Sequence, residues 1–174
     1  MKKYIALLRG INVSGQKKIL MVDLRALFEA IGFNEVRTYI QSGNVVFLAE
    51  ETSDLAVAIS DAIFKKYGWE VPVLVRNATE IADVLAKCPF SEEKKIKSYF
   101  TLFQETPSEV SLQELAQLSF PDEEFHITPT CLYYFCAKGY GKAKMTNNLI
   151  ERKLKVRATT RNYRTLLKLT ELGS

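Results

Sequence analysis

Two strand-like runs meet across a polar turn in the stretch Val36–Ala49, which reads VRTYIQSGNVVFLA. Residues 36–40 and 45–49 are rich in the β-branched and aromatic side chains that favour strands. The four residues between them, QSGN, include the glycine and asparagine that tolerate positive φ in a tight turn. The stretch therefore predicts an antiparallel hairpin, and the patterns on either side of it decide the fold class.

A strand and a helix are predicted on each side of this hairpin. Before it, Tyr4–Leu8 is an apolar run typical of a strand covered on both faces, and leucines at helical spacing follow. After it, residues 55–63 carry an apolar helical stripe that Thr52 or Ser53 would cap, and Val71–Val75 is a further strand. The order βαββαβ predicts a ferredoxin-like unit, with an antiparallel sheet and helices on one face.

The second half of the chain repeats this order of elements. Strands are predicted at Tyr99–Phe103, Glu124–Thr128 and Cys131–Ala137, with a leucine-rich helix after the first of them. Met145–Leu154 has helical periodicity, and Val156–Ala158 is a short last strand before a closing helix. The predicted fold class is therefore α+β, with two ferredoxin-like subdomains, antiparallel sheets and a C-terminal helix.

The length of 174 residues suits two small domains. We place the first subdomain at residues 1–77, a linking helix and loop at 78–97, and the second subdomain with the C-terminal helix at 98–174. The composition, with 47% hydrophobic and 25% charged residues, is that of a globular protein. No apolar run reaches the roughly 18 residues that span a bilayer, and the start MKKY has no small-residue cleavage site of a signal peptide.

Cysteine and histidine usage argues against several kinds of site. The three cysteines are odd in number and lack CxxC spacing, which argues against a disulfide framework or a zinc knuckle and favours the cytoplasm. His126 is the only histidine, and no acidic cluster has ligand spacing, so no metal site is predicted. The glycine-containing loop after the first strand lacks the P-loop pattern, and no cofactor is predicted.

Five blocks of the sequence are distinctive: Tyr4–Val13, Asp23–Arg25, Arg37–Val45, Glu151–Leu154 and Ala158–Asn162. Together they closely resemble a bacterial family catalogued as domain of unknown function 1697. The resemblance covers nearly the whole chain and implies a cytoplasmic protein of two ferredoxin-like subdomains. It implies no reaction, cofactor or catalytic residue, so the function has to be sought in the residues of this chain.

Positive charge is concentrated at the C-terminal end. Residues 138–174 hold ten lysines or arginines and two acidic residues, a local charge of +8, whereas residues 1–137 carry −4. Such asymmetry is typical of a surface for phosphate, nucleic acid or an acidic partner. The alternative is a solvated helix face that keeps the protein soluble.

Two polar motifs of the first half are candidate ligand-binding sites. The loop after the first strand offers Arg9 and Asn12 among glycines that let backbone amides approach a phosphate or carboxylate. The hairpin turn offers Gln41, Ser42 and Asn44, which equally suit a purely structural turn. Whether the two motifs lie at the same end of the sheet is left open by the sequence.

A third candidate lies near the C-terminus. A closing helix that starts at Thr159 or Thr160 would present free backbone amides and a positive dipole end beside Arg161 and Asn162. Lys144 adds positive charge on a glycine-containing loop. This combination predicts an anion site, although an ordinary helix cap needs only one of the threonines.

We expect the protein to bind an anionic ligand, RNA or a phosphorylated small molecule, through its basic surface. One alternative is a small phosphate-processing hydrolase or transferase, with Arg9 holding the anion and Asn12 or Asn44 orienting water; the sequence offers no general base for it. A protein-interaction scaffold is another alternative. RNA-recognition domains share the βαββαβ order and stack bases on strand aromatics, but the aromatics of this chain suit a core better.

Overall fold

The computed structural model describes residues 1–52 and 54–174 and divides into two compact units. The first unit comprises Met1–Ala82 with Lys168–Ser174, and the second comprises Asp83–Leu167. Both units are α+β and each holds one four-stranded sheet. The division at residues 82 and 83 falls within the segment predicted as a link, and the last seven residues group with the first unit rather than with the second.

The first unit has the predicted βαββαβ order. Its strands pair in the order β2-β3-β1-β4, and every pairing is antiparallel. Strand β1, one of the two central strands, is buried at each of its last four residues, so both of its faces are covered there. The elements are β1 (Lys2–Leu8), α1 (Met21–Ala30), β2 (Asn34–Tyr39), β3 (Asn44–Ala49), α2 (Leu55–Tyr67) and β4 (Val73–Arg76).

The core of this unit lies between the sheet and helices α1 and α2. Ala6 and Leu8 of β1, alternating along the strand, pack with Phe47 of β3 in one buried cluster. Phe28 of α1 meets the Phe47 ring edge-on, with 5.3 Å between ring centroids. Apolar residues that recur every two positions in the strands and every 3.6 in the helices therefore pack into one apolar layer.

The second unit repeats the topology with the strand order β6-β7-β5-β8. Its core cluster lies between this sheet and helices α5 and α6, with Phe103, Leu132 and Ile150 among its members. The remaining elements are α3 (Ala78–Ala86), α4 (Glu92–Lys95), β5 (Tyr99–Phe103), α5 (Glu109–Ala116), β6 (Glu123–Ile127), β7 (Cys131–Cys136), a 3₁₀ turn (Tyr140–Lys142), α6 (Asn147–Leu154), β8 (Ala158–Asn162) and α7 (Tyr163–Gly173).

The start of the closing helix differs from the prediction. Thr159 and Thr160 are strand residues within β8, paired with β5, and do not cap a helix. The closing helix α7 starts at Tyr163, and Asn162 caps it, since its Oδ1 accepts the Thr165 N–H at 2.8 Å. The prediction of free helix amides at the threonines is therefore wrong, because those amides belong to a sheet.

Two smaller findings complete the fold. The cap predicted at Ser53 lies outside the described residues, whereas the Thr52 hydroxyl accepts the Asp54 N–H at 3.3 Å, just before α2. Among the described helices, none has the length and apolar character required to cross a membrane.

Candidate functional site

The two polar motifs of the first unit meet at one end of its sheet. In the β1–β3 register Leu7 lies opposite Asn44, so the loop after β1 and the β2–β3 turn share an edge. The Leu8 N–H donates to the Gly43 carbonyl at 2.8 Å. The structure thus brings together two candidate motifs whose proximity the sequence left open.

The side chain of Asn12 links these two motifs by hydrogen bonds. Its Nδ2 donates to the Gln41 carbonyl at 2.8 Å and to the Ile19 carbonyl at 2.9 Å, and its Oδ1 accepts the Ile19 N–H at 2.9 Å. Its φ of 55° is in the left-handed region that asparagine tolerates better than most residues. The Asn12 side-chain amide thus bonds to three backbone groups, and these bonds stabilise the loop.

Replacing Asn12 by alanine is expected to lower the free energy of unfolding by about 2 kcal/mol, because three backbone hydrogen bonds lose their partner. Ser14→Ala is the matched control: Ser14 also has positive φ, at 50°, but is exposed. We expect that control to cost less than about 1 kcal/mol. Urea denaturation of both variants measures the difference, and equal losses would contradict the bracing role.

The Asn44 side chain also bonds to groups within the turn. It is fully buried, and its Nδ2 donates to the Tyr39 carbonyl and to the Ser42 hydroxyl, both at 3.0 Å. Gln41 is exposed and Arg9 is half-buried, with its own N–H bonded to the Pro72 carbonyl at 2.9 Å. Of the first-unit candidates, Gln41 and Arg9 face solvent at least in part, whereas both asparagines brace the backbone.

The C-terminal candidates lie in the second unit and are dispersed along its elements. Thr160 is tied inside the fold, with its hydroxyl 2.8 Å from that of Thr101 and donating to Asn147 Oδ1 at 2.7 Å. Thr159 is buried, and Asn162 is the cap of α7. Lys144 is exposed in the segment before α6, with its N–H bonded to Glu123 Oε1 at 2.7 Å.

Arg161 stands at the end of β8 and has an equivalent that the sequence interpretation missed. Its Nη1 donates to the Thr160 carbonyl at 2.9 Å, and burial lowers its pKa to about 10. At the end of β4, Arg76 Nη1 donates to the Val75 carbonyl at 2.8 Å, and burial likewise lowers its pKa, against the effect of Glu80. The shared feature is an Arg-Asn pair at the end of the last strand in each unit.

The asparagine of each pair caps the next helix. Asn77 Oδ1 accepts the Glu80 N–H at 2.9 Å, and Glu80 Oε2 accepts the Asn77 N–H at 2.8 Å. Asn162 caps α7 by the first of these two bonds, since its Oδ1 accepts the Thr165 N–H. The repeated dipeptide was a signal of equivalence between the halves that sequence reading could have used.

Exposed positive charge gathers around the last turn of α6. We call Arg152, Lys153, Lys155 and Arg157 the α6 cations; all four are exposed. They lie on both sides of the buried Leu154, and Ile150 one turn earlier is buried too, so the apolar face of α6 is turned inward while the cations face solvent. Six consecutive positions therefore place four positive charges on one end of the second unit.

The α6 cations form no salt bridge with any residue in the described part of the chain. The nearby carboxylates are engaged with backbone amides instead: Glu151 Oε1 accepts the Ala158 N–H at 2.8 Å and Glu105 Oε2 accepts the Arg157 N–H at 3.1 Å. By contrast, Lys94 and Lys138 of the same unit are ion-paired with Glu124 and Asp122. The α6 cations are thus available to an external anion.

Several of the strand aromatics are core residues. Phe100, Phe103, Tyr133 and Tyr134 are at most 2% exposed, and Phe47 of the first sheet is fully buried. Bases cannot stack on rings that the fold already covers, so these five rings are not available for stacking. The interpretation of the aromatics as core is confirmed for these rings, whereas three other strand tyrosines are only half-buried: Tyr4, Tyr39 and Tyr99.

Nucleophile and metal chemistry find little support in the described residues. No group of three histidine, cysteine or acidic side chains is placed there to hold a metal ion. Cys131 is buried, and burial raises its pKa well above the usual value, which disfavours the reactive thiolate.

Comparisons with known proteins agree with this architecture. A family model described as "Protein of unknown function (DUF1697)" matches residues 1–133. The chain is similar in structure to the conserved bacterial protein SP0830 from Streptococcus pneumoniae, with a TM-score of 0.76 and 22% sequence identity over 99% of this chain and 98% of that chain. At this identity the likeness concerns the fold. No curated protein matches the chain.

Proposed function

Since the chain belongs to the DUF1697 family, whose function is unknown, we propose from its own surface that it binds the phosphate backbone of RNA through the α6 cations. The observation that carries this proposal is four exposed positive side chains within six residues that have no acidic partner in the described chain. Phosphate contacts by such side chains supply most of the sequence-independent affinity for nucleic acid.

An extended polyanion suits this surface better than a small phosphorylated molecule. A small-molecule site encloses most of its ligand and holds a few convergent polar groups in a cavity. The α6 cations are exposed instead, and Lys142 and Lys144 add two exposed positive charges before the other end of α6. An eight-residue helix is about 12 Å long, so charges at both of its ends would engage several phosphates.

The proposed binding is tolerant of base sequence. Sequence-specific RNA recognition uses unstacked bases on exposed aromatic rings and hydrogen bonds to base edges. Four strand aromatics of this unit are buried, so we take backbone contacts as the source of affinity; they are Phe100, Phe103, Tyr133 and Tyr134. The three free cysteines support placing this activity in the reducing cytoplasm.

The test is binding of a fluorescently labelled single-stranded RNA, measured by anisotropy over a series of salt concentrations. If the six cations near α6 each meet a phosphate, the slope of log affinity against log salt is expected to be about −4, since each single-strand contact contributes about −0.7. A homopolymer of uridine and one of adenine should bind within a few-fold of each other. No binding at 20 mM salt, or a slope near zero, would refute the proposal.

A further inference from the structure

The α6 cations alone do not distinguish RNA from DNA. They would contact phosphates, and both polymers carry the same phosphate groups. The group that lets a protein tell the two apart is the ribose 2′-hydroxyl, which both donates and accepts hydrogen bonds. A preference for RNA therefore requires an uncharged hydrogen-bonding side chain beside the cations.

Uncharged polar side chains of this kind stand at the start of α6, at residues 146–148. The Thr146 hydroxyl caps the helix by accepting a backbone N–H at 3.2 Å. The half-buried Asn147 holds β8 against the helix: its Oδ1 accepts from the Thr160 hydroxyl, and its Nδ2 donates to the Ala158 carbonyl at 3.1 Å. Asn148 is exposed, which is the condition for contact with an external strand.

Asn148 lies on the same side of α6 as two of the cations. Residues 148, 152 and 155 follow one another at spacings of four and three, which place side chains in one line along a helix. Arg152 is about one helical turn, 5.4 Å, beyond Asn148, and Lys155 is the C-terminal cap. All three are exposed, and we call them the outer stripe of α6. The outer stripe thus sets a neutral amide in line with two positive charges.

The length and the chemistry of the Asn148 side chain favour a contact with the sugar. Arginine and lysine have long flexible stems, so they can reach phosphates on either side of a bound strand. The asparagine amide stays close to the helix and meets only the part of the strand that passes directly over α6. Its oxygen accepts and its nitrogen donates hydrogen bonds, which complements a 2′-hydroxyl in either role.

We propose that Asn148 hydrogen-bonds a ribose 2′-hydroxyl of the strand held by the α6 cations, and that this contact makes the protein prefer RNA to DNA. The inference rests on the proposed function, since the cations must first hold the strand. A single neutral hydrogen bond of this kind corresponds to about a fivefold difference in affinity. Because the amide carries no charge, the contact leaves the salt dependence of binding unchanged.

The test uses the full chain and three labelled oligonucleotides of equal length with uracil as their base. Their sugars are ribose, 2′-deoxyribose and 2′-fluoro-2′-deoxyribose, of which the last keeps the sugar conformation of RNA without the hydroxyl. We expect the ribose oligonucleotide to bind about fivefold tighter than either of the others in anisotropy titrations. Asn148→Ala should abolish this preference by weakening only the ribose oligonucleotide, with the slope of log affinity against log salt unchanged for all three.

Gln16→Ala is the matched control. It removes an exposed amide from the first unit and leaves the outer stripe of α6 intact. The control should therefore keep the fivefold preference. Alanine is a better helix former than asparagine, so Asn148→Ala should retain the fold, and thermal unfolding of both variants checks this.

The outcomes separate this inference from the proposed function. Equal affinity of the parent chain for the ribose and deoxyribose oligonucleotides would overturn the inference while leaving phosphate binding in place. A preference that survives Asn148→Ala, or that Gln16→Ala also abolishes, would overturn it as well. Equal binding of the ribose and fluoro oligonucleotides would assign the preference to sugar conformation instead of the hydroxyl. Binding of none of the three would refute the proposed function and the inference with it.

Discussion

Replacing Arg152, Lys153, Lys155 and Arg157 together by glutamine is expected to weaken RNA binding at least 100-fold at about 0.1 M salt. Each lost phosphate contact removes the release of about 0.7 of a counterion, and four contacts correspond to nearly three orders of magnitude at that salt concentration. The slope of log affinity against log salt should also fall by about 3. Anisotropy titrations of the parent chain and the variant, run in parallel, measure both quantities.

A second variant with the same change in net charge is the control. Glutamine at Lys18, Lys65, Lys66 and Lys87 removes four other exposed lysines that make no salt bridge within the described chain. We expect this control to change the affinity less than fivefold, since the proposed surface retains its cations. Equal weakening by both variants would show that net charge alone attracts RNA, and the assignment to α6 would be wrong. Thermal unfolding of both variants shows whether the fold is retained.

The architecture was predictable because the apolar pattern is strong where the core lies. The hairpin at residues 36–49, the strands β1 and β5, and the helices α1 and α2 all follow the expected periodicities. Each of these elements places apolar residues on a face that the structure buries. Local pattern and global packing agree in these segments, which is the usual reason that sequence specifies a fold.

Strand β8 was misplaced because its inward face is partly polar. Thr160 lies at a position where an apolar residue would signal a strand, and its hydroxyl is satisfied by Thr101 and Asn147. Both partners are distant in sequence, so the local pattern resembles a helix cap instead. Alternation of apolar and polar residues predicts a strand only where the residues on its buried face are apolar.

The candidate residues of the first unit were ambiguous for a similar reason. An asparagine in a glycine-containing loop suits ligand binding and turn bracing equally well from sequence. The choice depends on the partners of its amide, and those of Asn12 are carbonyls at Ile19 and Gln41. The α6 cations posed the opposite problem: their charge was visible, but only the structure shows that the neighbouring carboxylates are bonded to backbone amides.

Gly43→Ala is expected to destabilise the protein by about 3 kcal/mol or more. Gly43 has a φ of 80°, where an alanine costs about 1–2 kcal/mol. The added Cβ would also lie 2.8 Å from Leu8 Cβ and 2.8 Å from Ile11 Cδ1, closer than real contacts allow. The Leu8 Cβ cannot move unless β1, one of the two central strands of the sheet, moves with it, so overpacking adds to the backbone strain.

Gly10→Ala isolates the contact from the backbone strain. Gly10 has nearly the same φ, 75°, but a Cβ there would meet nothing within 4 Å. The stability lost by Gly10→Ala should therefore be limited to the conformational cost of the positive φ, about 1 kcal/mol. Urea denaturation should show that Gly43→Ala lowers the free energy of unfolding by about 2 kcal/mol more than Gly10→Ala does. Similar losses for the two variants would mean that β1 and the loop after it shift to accommodate the extra carbon. The turn would then be held less rigidly against the sheet than the bond from the Leu8 N–H to the Gly43 carbonyl implies.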